Sequence, residues 1–495
     1  MRFSLLCNAS VILRHQAGGE SSATPRPITK GENVMSTRFL KRLASIIAAA
    51  ITLGATYTAF ADQHDGKVST AAANIKHVFV IVLENKSFSD TFGTSTQDPY
   101  LQQTLVPMGS LLTQYYGTGH VSLDNYISMI SGQSPTPDTD NDCLPGFTGT
   151  IGNYNNVKQT GTAPQGQVIA TGGCIYAKNI KTLPNQLEEA GLTWRGYMGD
   201  MGNDPSREAA ACGHPVIGIG TDNTNNAEAP SAAVPLGDAY ATRHDPFMYF
   251  HSIIDNAPSC AQHVVNLNHL TNDLAEERTT PNFVFITPNL CDDGHDGSGT
   301  GAPGTTCANG GPGGLTSADA FLKTWVPKIM ASEAYKKDGL LIITFDESNL
   351  TESVSQNSSG QEVVDITFAG QTCCNQQPGP NLSGVRPGTF TLLNTPTLLE
   401  NIVINGFGGD RVGALLLSPF VRQGSTSETP YNHYALLKSI EDIFHLDHIG
   451  YATDDPRIHY SLDTIGEDED VFFSGPGRGH QFPHDPGFKL PWLLF

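Results

Sequence analysis

The chain has 495 residues, with 28 Lys and Arg against 49 Asp and Glu, a formal charge of −21. At 39% apolar and 16% charged it is neither a disordered chain nor a membrane bundle, and its length allows a large buried core. Acidity of this size argues against nucleic acid or an anionic membrane as a bulk electrostatic partner, while leaving room for phosphate chemistry at one locally neutralised site.

In chain order, residues 1–34 read as a polar, unstructured upstream extension, with the working start at Met35. Arg38, Lys41 and Arg42 then precede an apolar run, Leu43–Phe60, that closes in Ala59-Phe60-Ala61, a small-x-small cleavage signal. Residues 35–61 are therefore expected to be a signal peptide. The competing reading is a membrane anchor, since about 18 residues just reach across a bilayer, but the many Ala, Thr and Gly residues make the run weakly apolar. Without residues 1–61 the chain loses seven basic and two acidic residues, leaving 21 against 47 and a net charge of −26. No later segment is expected to span a membrane. The product is expected to be exported, to the periplasm or outside the cell.

Eight cysteines remain after the leader, an even number that favours disulfides in an exported chain. Sequence neighbours suggest Cys143–Cys174, Cys212–Cys260 and Cys291–Cys307, among the many pairings eight cysteines allow. Adjacent Cys373 and Cys374 are expected to pair elsewhere rather than with each other.

Four apolar, β-branched runs read as fully buried strands: Lys76–Leu83, Asn282–Ile286, Gly339–Phe345 and Val412–Leu417. Helical faces lie between them, with Leu123, Tyr126, Ile127 and Ile130 on one and Leu436, Leu437, Ile440 and Phe444 on another. The alternation predicts one α/β domain over residues 62–474, a three-layer α/β/α sandwich with a mostly parallel central sheet. Loops are expected at Pro135–Gly173, Gly202–Pro235, Gly294–Gly314 and Ser348–Pro387 from their Gly, Asn and Pro density. Residues 475–495 form a Gly-, Pro- and His-rich tail.

The residues just past the strand ends carry the chemistry. Glu84-Asn85 comes after the first strand, Asp292-Asp293-Gly294-His295-Asp296 after the second and Asp346-Glu347 after the third. In open α/β sheets the ligand crevice lies at the carboxyl ends of the strands. Three acidic clusters at one edge repel each other unless a cation sits among them. Ser122, just ahead of the Leu123 helical face, is either a plain N-cap or a nucleophile at the positive helix end, which also favours a bound phosphate. A neutral serine needs a metal or base to activate it. Asn125 lies one turn further on, and His433 opens the last helix.

Together these segments resemble the bacterial phosphoesterase family that holds secreted acid phosphatases and phospholipases C, within the alkaline phosphatase superfamily. The resemblance runs through His77–Phe88, Ser122–Tyr126, Trp194–Met198, Arg243–Phe247, Asp292–Asp296, Thr344–Glu347 and Pro430–Tyr434. It implies an alkaline-phosphatase-like fold and a hydrolase of phosphate esters with Ser122 as a phosphorylated nucleophile. It implies a divalent cation held by Glu84, Asn85, Asp346, Glu347 and the Ser122 oxygen. Asn125, His295 and His433 would contact the phosphoryl group, and one histidine would protonate the leaving alcohol. His120, His244 and Asp293 would share the pocket. Two positions depart from the pattern: Ser89-Asp90 follow Phe88 where Asp is often immediate, and Asp292 replaces a common Asn, adding negative charge beside the site. Hard oxygen ligands favour Ca²⁺, Mg²⁺ or Mn²⁺ over Zn²⁺. The expected substrate is a small-molecule or lipid phosphate ester. A phosphomonoesterase is favoured over a phospholipase C-type diesterase, and a non-catalytic exported binding protein on the same scaffold is the alternative of another class.

Overall fold

The computed structural model describes residues 75–93, 97–143, 154–218, 224, 226–295, 307–308, 310–382 and 387–453. The expected upstream extension, signal peptide and C-terminal tail, with Asp296 and most of the Gly294–Gly314 loop, lie outside the described residues.

The fold is mixed α/β around an eight-stranded sheet. The opening strand, His77–Leu83, sits in its middle and pairs in parallel with Gly339–Phe345 on one side and Phe283–Thr287 on the other. Trp194–Met198 and Val264–Asn266 continue the parallel set beyond Phe283–Thr287. Every residue of the opening strand and of Gly339–Phe345 is buried, so both faces of the sheet are covered. That is why these runs are continuously apolar rather than alternating. Val78, Val80 and Val82 and their neighbours Leu341 and Ile343 form part of one large core.

The fourth expected strand shortens to Ala414–Leu417 and runs antiparallel to Gly339–Phe345. On its far side lie Ser110–Leu112 and Ser425–Ser427, which share the direction of the parallel set. One reversed strand thus interrupts the parallel sheet, a reversal that apolar runs alone do not encode. The two expected helices form as Ser122–Ser131 and His433–Ile443 and pack on each other.

The Ser348–Pro387 stretch is not a plain loop. It contains strands Thr351–Gln356 and Glu362–Phe368, which join Gly388–Asn394 and Leu398–Ile404 in a second, four-stranded sheet. Thr351–Gln356 is exposed along its whole length. An edge strand facing water needs no apolar run, so its polar composition concealed it. Pro135–Gly173 likewise holds a small hairpin, Gln159–Thr162 with Val168–Ala170.

Three cysteine pairs form as sequence proximity suggested, Cys143–Cys174, Cys212–Cys260 and Cys291–Cys307. Cys373 and Cys374 pair with each other, contrary to expectation. The chain carries them where the second sheet meets the Thr118 loop, and Gln376, two residues on, donates to the Thr118 carbonyl at 2.5 Å. Among the described residues no helix is long and apolar enough to cross a membrane.

Candidate active site

Sheet register builds the centre of the site. Leu83 stands opposite Phe345 in the parallel ladder, so the next residues, Glu84 and Asp346, leave the sheet side by side. The Asp346 amide donates to the Leu83 carbonyl at 2.9 Å, and the Glu84 amide to the Asp293 carbonyl at 2.8 Å. Asn85 adopts a left-handed conformation (φ +55°), and its amide donates to Asp346 Oδ1 at 2.9 Å. Three strand ends therefore meet at one edge.

Ser122 is the first residue of its helix, preceded by Val121 as N-cap, and it is buried. Its hydroxyl donates to Glu84 Oε2 at 2.9 Å. Tyr126, one helical turn on, donates to Glu84 Oε1 at 2.5 Å, and the Asn85 side-chain amide donates to Oε2 at 2.8 Å. Sequence reasoning gave Tyr126 only a packing role. Its spacing of four from Ser122, which puts both hydroxyls on one helix face, was the available signal.

His244 stacks on Tyr126 with ring centroids 5.4 Å apart. Its Nε2 lies 3.5 Å from Glu84 Oε1 and its Nδ1 3.7 Å from Asp293 Oδ2, and among the described residues neither nitrogen makes a hydrogen bond. Burial, helped by Arg243 and His295, holds its pKa well below 6.5. His295 is exposed, its backbone amide bound to Asp293 Oδ1 at 2.9 Å.

Four expected site residues have other engagements. The Asn125 amide donates to the carbonyls of Gly119 and Val121, and its Oδ1 accepts from the Thr118 and Gly119 amides. Both of its N–H bonds are thus spent shaping the loop ahead of Ser122, and none is left for a phosphoryl oxygen. His433 Nε2 donates to the Asp346 carbonyl at 2.6 Å. Its Nδ1 must then accept, and Tyr115 donates to it at 2.9 Å. Burial pulls its pKa down to about 4, so His433 stands as a neutral support under Asp346 rather than a proton donor to a leaving group. His120 bridges two carboxylates, Glu347 through Nδ1 and Asp410 through Nε2 at 2.8 Å. Burial opposes its charge, but Glu347 and Asp410 outweigh burial and raise its pKa to about 9. Both His120 nitrogens are therefore taken, and Glu347 is tied to an internal cation.

Glu84 and Asp346 remain. Burial, and then each one's acidic neighbours, push both pKa values well above the usual carboxylate range. Among the described residues Asp346 Oδ2 is buried and accepts from no donor within hydrogen-bond geometry, while the same carboxylate lies against the Glu84 carboxyl and the Glu347 amide. Among the described residues no group of three or more His, Cys, Asp or Glu converges as a metal site. The fit to a cation rests instead on the orphaned Asp346 oxygen and a donor set of two carboxylates, a serine oxygen and an amide. Those hard oxygens suit Mg²⁺, Mn²⁺ or Ca²⁺.

A serine at a helix start against strand-end carboxylates lies where open α/β sheets place their ligand crevice. Residues 95–447 match the Phosphoesterase family, and the chain belongs to that family. It is 21% identical over 386 residues to a probable acid phosphatase of Kluyveromyces lactis, across 78% of this chain and 62% of that protein. It is 22% identical over 422 residues to a phosphatidylinositol-3-phosphatase of Mycobacterium tuberculosis, across 85% and 94% of the two chains. The chain spans less than two thirds of the length of the first fungal acid phosphatases it matches. Among solved structures, a protein of the alkaline phosphatase superfamily from Vibrio parahaemolyticus aligns over 75% of this chain and 67% of its own, with a TM-score of 0.39 and 12% identity.

Proposed function

We propose that the chain is an exported, metal-dependent phosphate-ester hydrolase, an acid-phosphatase-like phosphomonoesterase with Ser122 as nucleophile. The observation that carries this reading is the Ser122 hydroxyl held on Glu84 beside the buried Asp346, at the edge where three strands end. The catalytic domain corresponds to residues 62–474, and the disulfides fit an oxidising compartment.

Glu84, Asp346 and Ser122, with Asn85 beside them and the Glu347 oxygen that His120 leaves open, would hold the divalent cation. When bound, that cation supplies the positive charge that lowers the serine pKa and neutralises a phosphoryl oxygen. Glu84 keeps the Ser122 hydroxyl aimed, and Tyr126 and Asn85 keep Glu84 from turning. As its proton passes to Glu84 Oε2, the Ser122 oxygen forms a bond to phosphorus, the phosphorus–alcohol bond breaks, and the alcohol leaves with a proton. With His433 engaged on both nitrogens, exposed His295 at the mouth is the candidate donor of that proton. Water then attacks the phosphorus and gives a proton to His295, the serine–phosphorus bond breaks, phosphate leaves, and Ser122 takes its proton back from Glu84. Asp293 orients the His295 backbone and faces His244, which lines the pocket as a neutral ring.

A second reading, a lipid phosphate ester as substrate, is favoured by the relative matched over most of its length, a phosphatidylinositol-3-phosphatase. A phospholipase C-type diesterase uses the same core. The test is to assay the purified chain on a chromogenic phosphate monoester, its diester, a phosphoinositide and phosphatidylcholine, with each cation and after chelation. Turnover of the monoester only with a divalent cation is expected. No turnover of any ester under any condition would favour a non-catalytic binding protein.

A further inference from the structure

A turn between the second sheet and the reversed strand contains a carboxylate that sequence reasoning did not single out. Asp410 is buried, in a left-handed conformation (φ +63°), after Gly408 and Gly409. The turn lies directly on the loop that leads to Ser122. The Gly117 amide donates to the Asp410 carbonyl at 2.9 Å, and the Gly409 amide to the Gly117 carbonyl at 3.1 Å. A Cβ on Gly409 would stand 2.4 Å from the Gly119 carbonyl, and one on Gly117 would stand 2.6 Å from that of Asp346. Only glycine at these two points lets the backbones approach this closely.

The approach brings the Asp410 side chain into a hub. Oδ1 accepts from the Gln371 amide at 2.6 Å. Oδ2 accepts from His120 Nε2 at 2.8 Å, the Gly370 amide at 3.1 Å and the Ser348 hydroxyl at 3.3 Å. Gly370 and Gln371 follow the Glu362–Phe368 strand, and Phe368 packs edge-on against the His120 ring at 5.0 Å. Asp410 therefore joins the second sheet, the His120 loop and the Glu347-Ser348 segment. Its grip on Nε2 fixes the His120 ring, and the ring's other nitrogen holds Glu347 Oε2. A carboxylate next to a metal position is commonly oriented by such an outer partner, and loss of that partner typically weakens metal binding about 10- to 100-fold.

We propose that Asp410 is a positioning residue for the cation site. Through His120 it fixes one oxygen of Glu347 beside Asp346 and leaves the other to a divalent cation, so cation affinity depends on a residue in the turn that follows the second sheet. This role rests on the reading that Glu84 and Asp346 hold a cation. The test titrates Mn²⁺ calorimetrically into chelator-stripped wild type, Asp410→Asn and His120→Gln, with melting in chelator as the check on folding. Both variants are expected to bind Mn²⁺ about tenfold or more weakly, to melt as folded proteins and to regain phosphatase turnover in excess Mn²⁺, a rescue that damage to the fold would not show. Should Asp410→Asn fail to fold, His120→Gln decides. Affinities within twofold of a measurable wild-type value would overturn the proposal and leave the cation reading standing. No Mn²⁺ binding by wild type would overturn both.

Discussion

Two pairs of buried carboxylates lie within one site and are balanced in opposite ways. Glu347 and Asp410 share His120, which carries its own positive charge between them. Among the described residues Glu84 and Asp346 accept from neutral donors, Ser122, Tyr126, the side chain and backbone of Asn85 and the Glu347 amide, and the two carboxyls lie against each other. Hydrogen bonds to neutral groups do not repay the burial of two charges, whereas an imidazolium between carboxylates does so in part. The first pair has a charged partner between its members, although burial still raises Glu347, and the second has none. The proposed chemistry rests on the unbalanced pair, with the balanced pair as its support.

The largest effect expected is at the nucleophile. Ser122→Ala should reduce turnover at least about 10³-fold, while the variant still folds and binds cation. Near-wild-type hydrolysis by it would remove Ser122 from the mechanism. Next comes the cation. Exhaustive chelation should inactivate the enzyme, with activity restored by Mg²⁺, Mn²⁺ or Ca²⁺, and full activity after verified metal loss would mean that Glu84 and Asp346 balance each other by sharing a proton. The same pair predicts a pH trend for the stripped protein. Because both folded-state pKa values are raised, the folded protein holds protons that the unfolded chain releases. Stability should fall as pH rises above the ordinary carboxylate range. Melting curves across that range should show the slope, Glu84→Gln should lessen it, and added cation should flatten it.

The balanced pair predicts its own limb. His120 is raised to about 9 from 6.5, so its contribution is full below about pH 6.5 and is lost as pH rises from there to about 9. Melting of His120→Gln should lack that alkaline decline. An unchanged decline would show that Glu347 and Asp410 do not hold a charged ring. The smallest effect is expected at Asn125. Asn125→Ala leaves the Thr118 and Gly119 amides without their acceptor and should cost about 1–3 kcal/mol of stability, measurable by denaturant unfolding. Its inhibition by inorganic phosphate should change little, whereas a large loss there would return Asn125 to the phosphoryl pocket.

Much of the frame is readable in the residues. Continuous apolar runs predicted the parallel core because strands covered on both faces have no polar alternation to display. Glu84 and Asp346 were found by position, since each comes just after such a run, and Asp293 by its place in the loop after one, because a parallel sheet collects its strand ends on one edge. Ser122 at its helix start followed from the onset of the Leu123 face. The second sheet escaped notice because its outer strand, Thr351–Gln356, is polar and exposed. Tyr126 was marked only by its spacing from Ser122, and Asp410 escaped because nothing in local sequence points to a partner 290 residues away.

The sequence by itself determined which residue types stand at the strand ends and helix starts, because period and punctuation are local properties of the chain. Only the tertiary structure decided how they are used. Asn125 turned inward to its own loop, His433 became a prop beneath Asp346, and His120 was claimed by Glu347 and a carboxylate 290 residues away. Each imidazole or amide has two polar positions, and which partners fill them depends on which distant segments the packed core brings within about 3 Å.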